Sequence, residues 1–99
     1  MVKHVILWKL KEEHKNEEVK IGIKKGLESL LGEIDGLLEI KVQTEKLESS
    51  NADVMLYSVF ESEDALKGYA VHHKHVEVAD TKVCPFTESR FCFDYYSED

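Results

Sequence analysis

This 99-residue chain contains few cysteines, one proline and no long apolar run. Its two cysteines, Cys84 and Cys92, are too few for a disulfide scaffold and fit no recognised metal-ligand spacing. No apolar run approaches the roughly 20 residues of a membrane span, and the N-terminus lacks the regions of a signal peptide. We therefore expect a cytoplasmic protein rather than a membrane protein or a disulfide-rich secreted domain.

Positive charge is also scarce. Lys and Arg number 13 against 20 Asp and Glu, so the formal net charge is −7. A protein that binds the phosphate groups of nucleic acids or lipids needs a basic surface, so neither nucleic acid nor an anionic membrane is an expected partner. The apolar content of 42% and charged content of 33% are typical of a globular protein. A chain of this length forms one small domain, and burial within a single protomer leaves its stability marginal.

The order of periodic segments predicts one β-α-β-β-α-β domain over residues 1–99. Strands are predicted at residues 2–10, 38–42, 54–60 and 87–96 from their apolar and alternating patterns. Asn16 is expected to cap the first helix, whose apolar residues recur at helical spacing as Val19, Ile23, Leu27, Leu30, Leu31 and Ile34. Asp35 and Gly36 then turn the chain, and residues 43–53 form a polar loop. Ser62 is expected to cap the second helix, and residues 81–85 are expected to be irregular.

Two strand–helix–strand units of this kind predict a ferredoxin-like fold of the α+β class, a four-stranded antiparallel sheet with both helices on one face. Both faces of the first strand are apolar: His4, Ile6 and Trp8 lie on one face, and Val5 and Leu7 on the other. An antiparallel sheet with one wet face should alternate apolar and polar residues. The second face therefore needs a cover, and another copy of the chain is the expected one. The prediction is a homodimer with two sheets packed face to face or curled into a barrel.

A tyrosine and three histidines cluster in the second half of the chain, at Tyr69, His72, His73 and His75. Imidazole titrates near neutral pH, and a phenol stays protonated there and donates a hydrogen bond. If the helix ends near His72, Tyr69 and His75 can converge on one pocket as an acid/base pair. The alternative is a polar helix end, where histidine suits the negative pole of the helix dipole.

Four segments in register resemble the stress-responsive A/B barrel family. They are residues 2–11, residues 57–61, the Tyr69…His72…His75-Val76 segment and Phe93-Asp94-Tyr95. The resemblance spans essentially the whole chain. It implies a homodimeric α/β barrel and no cofactor. Most members of the family have no established activity, and one plant member is a polyketide cyclase that closes a ring by aldol condensation.

The cyclase comparison assigns roles to individual residues. It implies that Tyr69 and His75 are catalytic, that His4 and His72 line the pocket, and that Asp94 belongs to the same site. His75 would take a proton from a carbon between two carbonyls, while Tyr69 would hydrogen-bond the enolate oxygen.

The chain departs from the cyclase at three of the matched positions. His73 replaces a proline, and Gly22 and Gly26 replace bulky aromatic residues on the first helix. The two glycines permit either close packing of the helix against Trp8 or a ligand cavity at that place. We therefore include Gly22, Gly26 and Trp8 with His4, His72 and Asp94 as candidate substrate-binding residues.

A metal site built from His4, His72, His73 and His75 is not expected. Zinc usually adds a carboxylate or thiolate at recognisable spacing, and adjacent His72 and His73 should point to different sides of a helix. His4 is expected to be buried and bonded to Asp94. Cys92 is interpreted as a small buried apolar residue.

Two functional classes remain open at this stage. One is a dimeric binding or stress-protection protein with a small apolar pocket that takes an apolar or polyketide-like ligand. The other is a small cofactor-independent enzyme of the cyclase, isomerase or oxygenase type that uses Tyr69 and His75. The fold alone cannot choose between them, because function depends on the site.

Overall fold

The computed structural model describes residues 1–98. Its main elements in chain order are β1 (Val2–Leu10), α1 (Glu17–Glu28), β2 (Leu37–Gln43), β3 (Val54–Phe60), α2 (Glu63–Val71), α3 (His73–Val78) and β4 (Thr87–Tyr96). Short helical turns occupy Glu12–His14 before α1, and Ala79–Val83 and Cys84–Phe86 between α3 and β4. Within this described part of the chain, no helix is long and apolar enough to cross a membrane.

The strands form one antiparallel sheet in the order β2-β3-β1-β4. The even-numbered residues of β1 are buried in the core beneath the helices, as predicted for the face that holds His4 and Ile6. The opposite sheet face is apolar but much more open, above all along β4, where Phe91 is 65% and Phe93 is 69% exposed. The predicted ferredoxin-like architecture is therefore present, with one sheet face uncovered in the protomer.

The caps of α1 and α2 are the ones that the sequence predicts. The Asn16 side chain accepts a hydrogen bond from the Val19 amide at 2.9 Å, and the Ser62 hydroxyl accepts one from the Ala65 amide at 3.1 Å. Each cap satisfies a backbone donor that has no partner inside its helix. The two helices therefore begin at fixed residues, and this sets which side chains they turn towards the sheet.

The prediction that α1 continues to Ile34 was wrong, because α1 ends at Glu28. The Ser29 hydroxyl donates to the Gly26 carbonyl at 2.7 Å, and the chain goes on in tighter turns such as Leu30 N–H to Leu27 O. Leu30 and Ile34 stay buried because these turns also recur about every three residues. Apolar periodicity alone does not separate the two conformations.

Two further predictions were wrong in detail. The β2–β3 register shifts between Leu37 and Glu39, so Leu37 is buried and Leu38 points to solvent instead of sharing a face with Ile40. Residues 79–83, part of which was predicted to be irregular, continue α3 as a π-helical turn. That turn packs beside α1 and closes one end of the core.

The loop after β2 is fixed to the sheet at its C-terminal end. Asp53 is buried, and its carboxylate accepts hydrogen bonds from the Leu10 amide and the Lys46 ammonium, each at 2.8 Å. Burial raises the pKa of Asp53, but these two donors outweigh it and leave the pKa below its ordinary value. The polar loop therefore ends in a structural carboxylate.

Gly36 is required by close approach of the chain to α2. Its φ of +84° lies in the left-handed region, and a Cβ there would come within 2.5 Å of the Ala65 Cβ. The turn before β2 can therefore pass tightly over the first turn of α2.

Candidate functional site

A cavity of about 160 Å³ lies between the sheet and the α2–α3 segment. Its walls are mostly apolar side chains from β1, β3 and the helices, including Ile6, Trp8, Leu27, Leu56, Leu66 and Val83. The polar side chains on its surface include those of His4, Tyr69, His75 and Arg90. An apolar cavity with a few converging polar groups is the usual form of a small-molecule site.

Tyr69 projects from the buried face of α2 into this cavity. The residue is only 1% exposed, and its ring packs edge-on against Phe60 with a centroid distance of 4.9 Å. The hydroxyl is buried and has no hydrogen-bond partner among residues 1–98. Burial raises the pKa of Tyr69, so the phenol keeps its proton and can donate it in a hydrogen bond. A buried hydroxyl without a partner costs free energy, which makes it a marker of a binding position.

His75 reaches the same cavity because the helix breaks before it. His72 adopts an extended conformation (φ −66°, ψ 134°) between α2 and α3, so the condition on which the convergence of Tyr69 and His75 depended is met. The His75 ring then packs on the Tyr69 ring with a centroid distance of 4.2 Å. The break therefore brings two groups that are six positions apart into contact.

The protonation state of His75 follows from its surroundings. Burial lowers the pKa of His75 more than the bond to the Ala70 carbonyl raises it, and His4 and Arg90 lower it further while Asp80 raises it. The ring is therefore neutral at pH 7. Its Nδ1 lies 3.2 Å from the Ala70 carbonyl oxygen, which can only accept, so Nδ1 carries the proton. The Nε2 atom of the neutral ring then holds the free lone pair of a base.

His4 is buried and pairs with Asp94, as expected. The two residues lie directly opposite each other in the β1–β4 ladder, so their side chains leave the sheet on the same face. Cys92, two residues before Asp94, adds a thiol 3.4 Å from the Asp94 carboxylate. Burial and this carboxylate raise the pKa of the Cys92 thiol. The cysteine is nevertheless exposed, so its interpretation as a buried apolar residue was wrong.

A larger groove of about 400 Å³ adjoins the cavity on the side of β4. Both spaces are bordered by His4, Leu66, Ala70 and Arg90. The groove also contains Cys92 and Asp94 on its sheet side and Glu63 and Lys67 on its α2 side. It therefore offers a route from solvent to the His4 end of the cavity.

Arg90 is the site residue that the sequence analysis missed. Its charge partly offsets the rise in the pKa of the Cys92 thiol, and it takes part in no ion pair with a carboxylate within residues 1–98. The sequence did contain a signal, because the alternation along β4 places Arg90 on the strand face of Cys92 and Asp94, opposite to Phe91. An arginine without a carboxylate partner, at the border of an apolar cavity, provides a place for an anionic group.

His72 does not line this cavity. Its Nδ1 accepts a hydrogen bond from the Lys74 amide at 3.1 Å, which makes it the N-cap of α3. Its ring stacks on the His73 ring at 4.7 Å, so the expectation that the two point to different sides was wrong. The expectation assumed a continuous helix, whereas the helix breaks at His72.

Gly22 and Gly26 also lie apart from the cavity. A Cβ at Gly26 would meet Val78 at 3.0 Å, and one at Gly22 would meet only Lys82 at 4.0 Å. The glycines thus face the chain around Val78 and Lys82 rather than Trp8, since that segment continues helically past the predicted end of the helix. Trp8 lines the cavity from the sheet side.

The sequence pattern of the Stress responsive A/B Barrel Domain matches residues 2–97. The chain belongs to this family. The family resemblance inferred from the sequence is therefore confirmed. No curated protein is similar enough to the chain to count as a sequence match.

Solved structures agree with the family assignment. A dimeric protein of unknown function with a ferredoxin-like fold from Bacteroides fragilis is 33% identical, covers 95% of this chain and 93% of its own, and superposes with a TM-score of 0.86. A Dabb family protein from Mesorhizobium loti is 18% identical, with coverages of 99% and 97% and a TM-score of 0.78. The hydroxynitrile lyase of Passiflora edulis is 16% identical, with coverages of 99% and 94% and a TM-score of 0.82. The last two show the fold alone. Within this fold the Passiflora edulis protein is an enzyme, whereas the Bacteroides fragilis protein has unknown function.

Proposed function

We propose that this member of the family is a homodimeric small-molecule-binding protein. Its ligand is an apolar molecule with a carbonyl oxygen that accepts a hydrogen bond from Tyr69 and an acidic group that pairs with Arg90. The main support for this proposal is the buried Tyr69 hydroxyl, which has no hydrogen-bond partner in the described part of the chain. A ligand oxygen would satisfy this donor and remove the cost of burying it.

The size of the site restricts the ligand. An engineered apolar cavity of about 150 Å³ holds one benzene molecule, so the inner cavity of about 160 Å³ has room for one ring or a short alkyl chain. Any further part of the ligand extends past His4 and Arg90 into the groove. A small aromatic or aliphatic keto acid fits both spaces.

A homodimer follows from the uncovered sheet face. Phe91 and Phe93 are both more than half exposed, and Val5 and Leu7 continue the apolar surface onto β1. The Bacteroides fragilis relative is dimeric. A second copy that packs on this face would bury the aromatic strip, while the Tyr69 cavity lies on the opposite, helical side. The exposed, unpaired thiols of Cys84 and Cys92 fit a reducing compartment, so the cytoplasm stays our proposed location.

Binding can be tested with three matched probes. Benzoylpropionate carries the ring, the carbonyl and the carboxylate, its methyl ester lacks the charge, and phenylbutyrate lacks the carbonyl. Affinities from isothermal titration should be highest for benzoylpropionate. The loss of either the carbonyl or the charge should weaken the affinity about tenfold, which is the contribution of one hydrogen bond or charge contact.

The variants assign each loss to a side chain. Tyr69→Phe should bind benzoylpropionate and phenylbutyrate equally, and Arg90→Gln should no longer distinguish the acid from its ester. Tyr57→Phe, on the other sheet face, is the control and should bind as the parent does. If Tyr69→Phe still prefers the ketone, the carbonyl does not bind where we propose.

An enzyme that abstracts a proton is the second candidate. The contact between Tyr69 and a neutral His75 favours it. His75 Nε2 would take a proton from the carbon next to the carbonyl, the electron pair of the C–H bond would pass into an enolate, and the Tyr69 hydroxyl would stabilise its oxygen. No cofactor is needed for this step.

Proton exchange distinguishes the enzyme from a passive pocket. In deuterated water, the parent should exchange the protons next to the carbonyl of benzoylpropionate faster than buffer alone, as followed by NMR. His75→Ala should return the rate to that of buffer, and Tyr69→Phe should slow it by about 100-fold or more. Tight binding with no acceleration in the parent would leave binding alone as the function.

A further inference from the structure

We propose that His4, Cys92 and Asp94 form a binding site for a zinc-class divalent cation, on the groove side of His4. The proposal does not depend on a ligand in the Tyr69 cavity. One nitrogen, one sulfur and one carboxylate oxygen from these residues all lie within 4.8 Å of one another. They are also the three ligand types that zinc prefers in proteins.

The fold assembles the three ligands from two neighbouring strands. His4 on β1 is the direct ladder partner of Asp94 on β4, and Cys92 lies two positions along β4. Residues two apart on a strand project to the same face, so all three side chains emerge towards the groove. Their backbone positions are held by a regular antiparallel ladder, which is a rigid base for a metal site.

The spacings suit tetrahedral coordination. Zinc–ligand bonds of about 2.0–2.3 Å place tetrahedral ligands about 3.3–3.6 Å apart. The Cys92 sulfur lies 3.8 Å from His4 Nδ1 and 3.4 Å from the Asp94 carboxylate oxygen. His4 and Asp94 are now hydrogen-bonded to each other, and the metal would replace the shared proton and move them apart. Only one of the three distances therefore needs a real adjustment.

The charges balance when the metal binds. The Cys92 thiol loses its proton to solvent, Asp94 contributes a second negative charge, and His4 binds as the neutral ring with its proton on Nε2. A thiolate beside a carboxylate is unfavourable without a cation, and the divalent ion neutralises both. The positive charge of the nearby Arg90 guanidinium also favours the thiolate.

The fourth coordination position faces the groove, because all three ligands line it. Three protein ligands with one open position are the arrangement of a catalytic rather than a structural zinc site. The charged groups that share the groove are Arg90, Lys67 and Glu63, with a net positive sum. They favour an anionic fourth ligand, such as hydroxide or a carboxylate.

Cobalt(II) provides a direct test, because it reports thiolate ligation and geometry by its absorption. Metal-free protein should take up one Co²⁺ per chain, with a thiolate-to-metal charge-transfer band and the intense visible bands of four-coordinate cobalt. Addition of Zn²⁺ should remove both. Cys92→Ser should lose the charge-transfer band and bind at least about tenfold more weakly, while Asp94→Asn should keep the band and bind more weakly.

Two controls exclude other origins of the signal. Cys84→Ser removes the other exposed thiol, and His73→Ala removes the exposed histidine of the stacked pair outside the groove. Both should keep the parent spectrum. Thermal unfolding of each variant checks that it is folded. A band that survives in Cys92→Ser or disappears in Cys84→Ser would overturn the proposal. So would the lack of stoichiometric binding at micromolar Co²⁺ by folded parent protein.

Discussion

Removal of the Tyr69 hydroxyl should stabilise the protein. Tyr69→Phe takes away one oxygen that is buried without a partner among residues 1–98 and leaves the ring packed on Phe60 and His75. An unsatisfied buried hydroxyl costs about 1–3 kcal/mol. The oxygen also fills roughly 10 Å³, and at about 24 cal/mol per Å³ its loss costs only about 0.2 kcal/mol. The expected net gain in the free energy of unfolding is therefore about 1–3 kcal/mol.

Urea unfolding at a fixed protein concentration measures this gain. The midpoint should rise while the slope of the transition stays unchanged, because the two proteins expose the same surface on unfolding. Protein concentration must be matched, since the stability of a dimer depends on it. In a thermal scan, each kcal/mol corresponds to a rise in Tm of about 4–8 °C for a domain of this size.

Tyr96→Phe is the matched control. It also removes one phenolic oxygen, but from an exposed side chain that bonds Glu63, so stability should change much less than in Tyr69→Phe. If Tyr69→Phe destabilises the protein by about 1 kcal/mol or more, the hydroxyl has a partner in the folded protein. The argument that it awaits a ligand oxygen would then fail.

Three other predictions follow from particular contacts. Burial lowers the pKa of His75 below 6.5, so the unfolded chain binds this proton at a higher pH than the folded protein does. The free energy of unfolding should therefore decrease as the pH falls below 6.5. His75→Gln should make this decrease shallower in urea unfolding at pH 5 to 7, and an unchanged dependence on pH would contradict the prediction. Phe93→Glu on the open sheet face should turn the proposed dimer into a monomer in sedimentation analysis, because it places a charge in an apolar interface. If this variant is still a dimer at micromolar concentration, that face is not the dimer interface. Gly22→Ala should stabilise the protein by about 1 kcal/mol, because helix propensity improves and the added methyl meets only Lys82 at 4.0 Å. Gly26→Ala should gain less, because its methyl meets Val78 at 3.0 Å, and equal gains in thermal unfolding would refute this contrast.

The parts of the fold that could be predicted are those that local chemistry determines. Asn16 and Ser62 begin their helices because each offers a side-chain oxygen to an unpaired amide. The apolar residues on both faces of β1 predicted a sheet whose second face needs a cover, and that face is open in the protomer. The end of α1 could not be predicted in the same way, because Leu30 and Ile34 satisfy the period of a tight turn as well as that of a helix. The β2 bulge at Leu38 is set by pairing with β3, and a single strand's sequence does not contain that information.

The candidate site, like the fold, could be predicted from the sequence only in part. The approach of His4 to Asp94 could be predicted because a family resemblance aligned the two strands on which they lie. Arg90 was missed because its importance comes from having no carboxylate partner among the described residues, which only the packed structure reveals. The metal ligands that were weighed from the sequence, and not expected, were mostly histidines that are neighbours in the chain. The sheet instead brings His4 to Cys92, which is 88 positions away.

The break at His72 connects the local sequence to the chemistry of the site. In an unbroken helix, His75 would lie six positions, or about 600°, around the axis from Tyr69 and would face away from it. The extended backbone at His72 resets this angle, and the His72 imidazole then caps the Lys74 amide that the new helix leaves unpaired. His72 therefore acts on the site through the backbone, by positioning His75, although it does not line the cavity. A residue carried over by resemblance as a pocket residue thus has a different physical role in this chain.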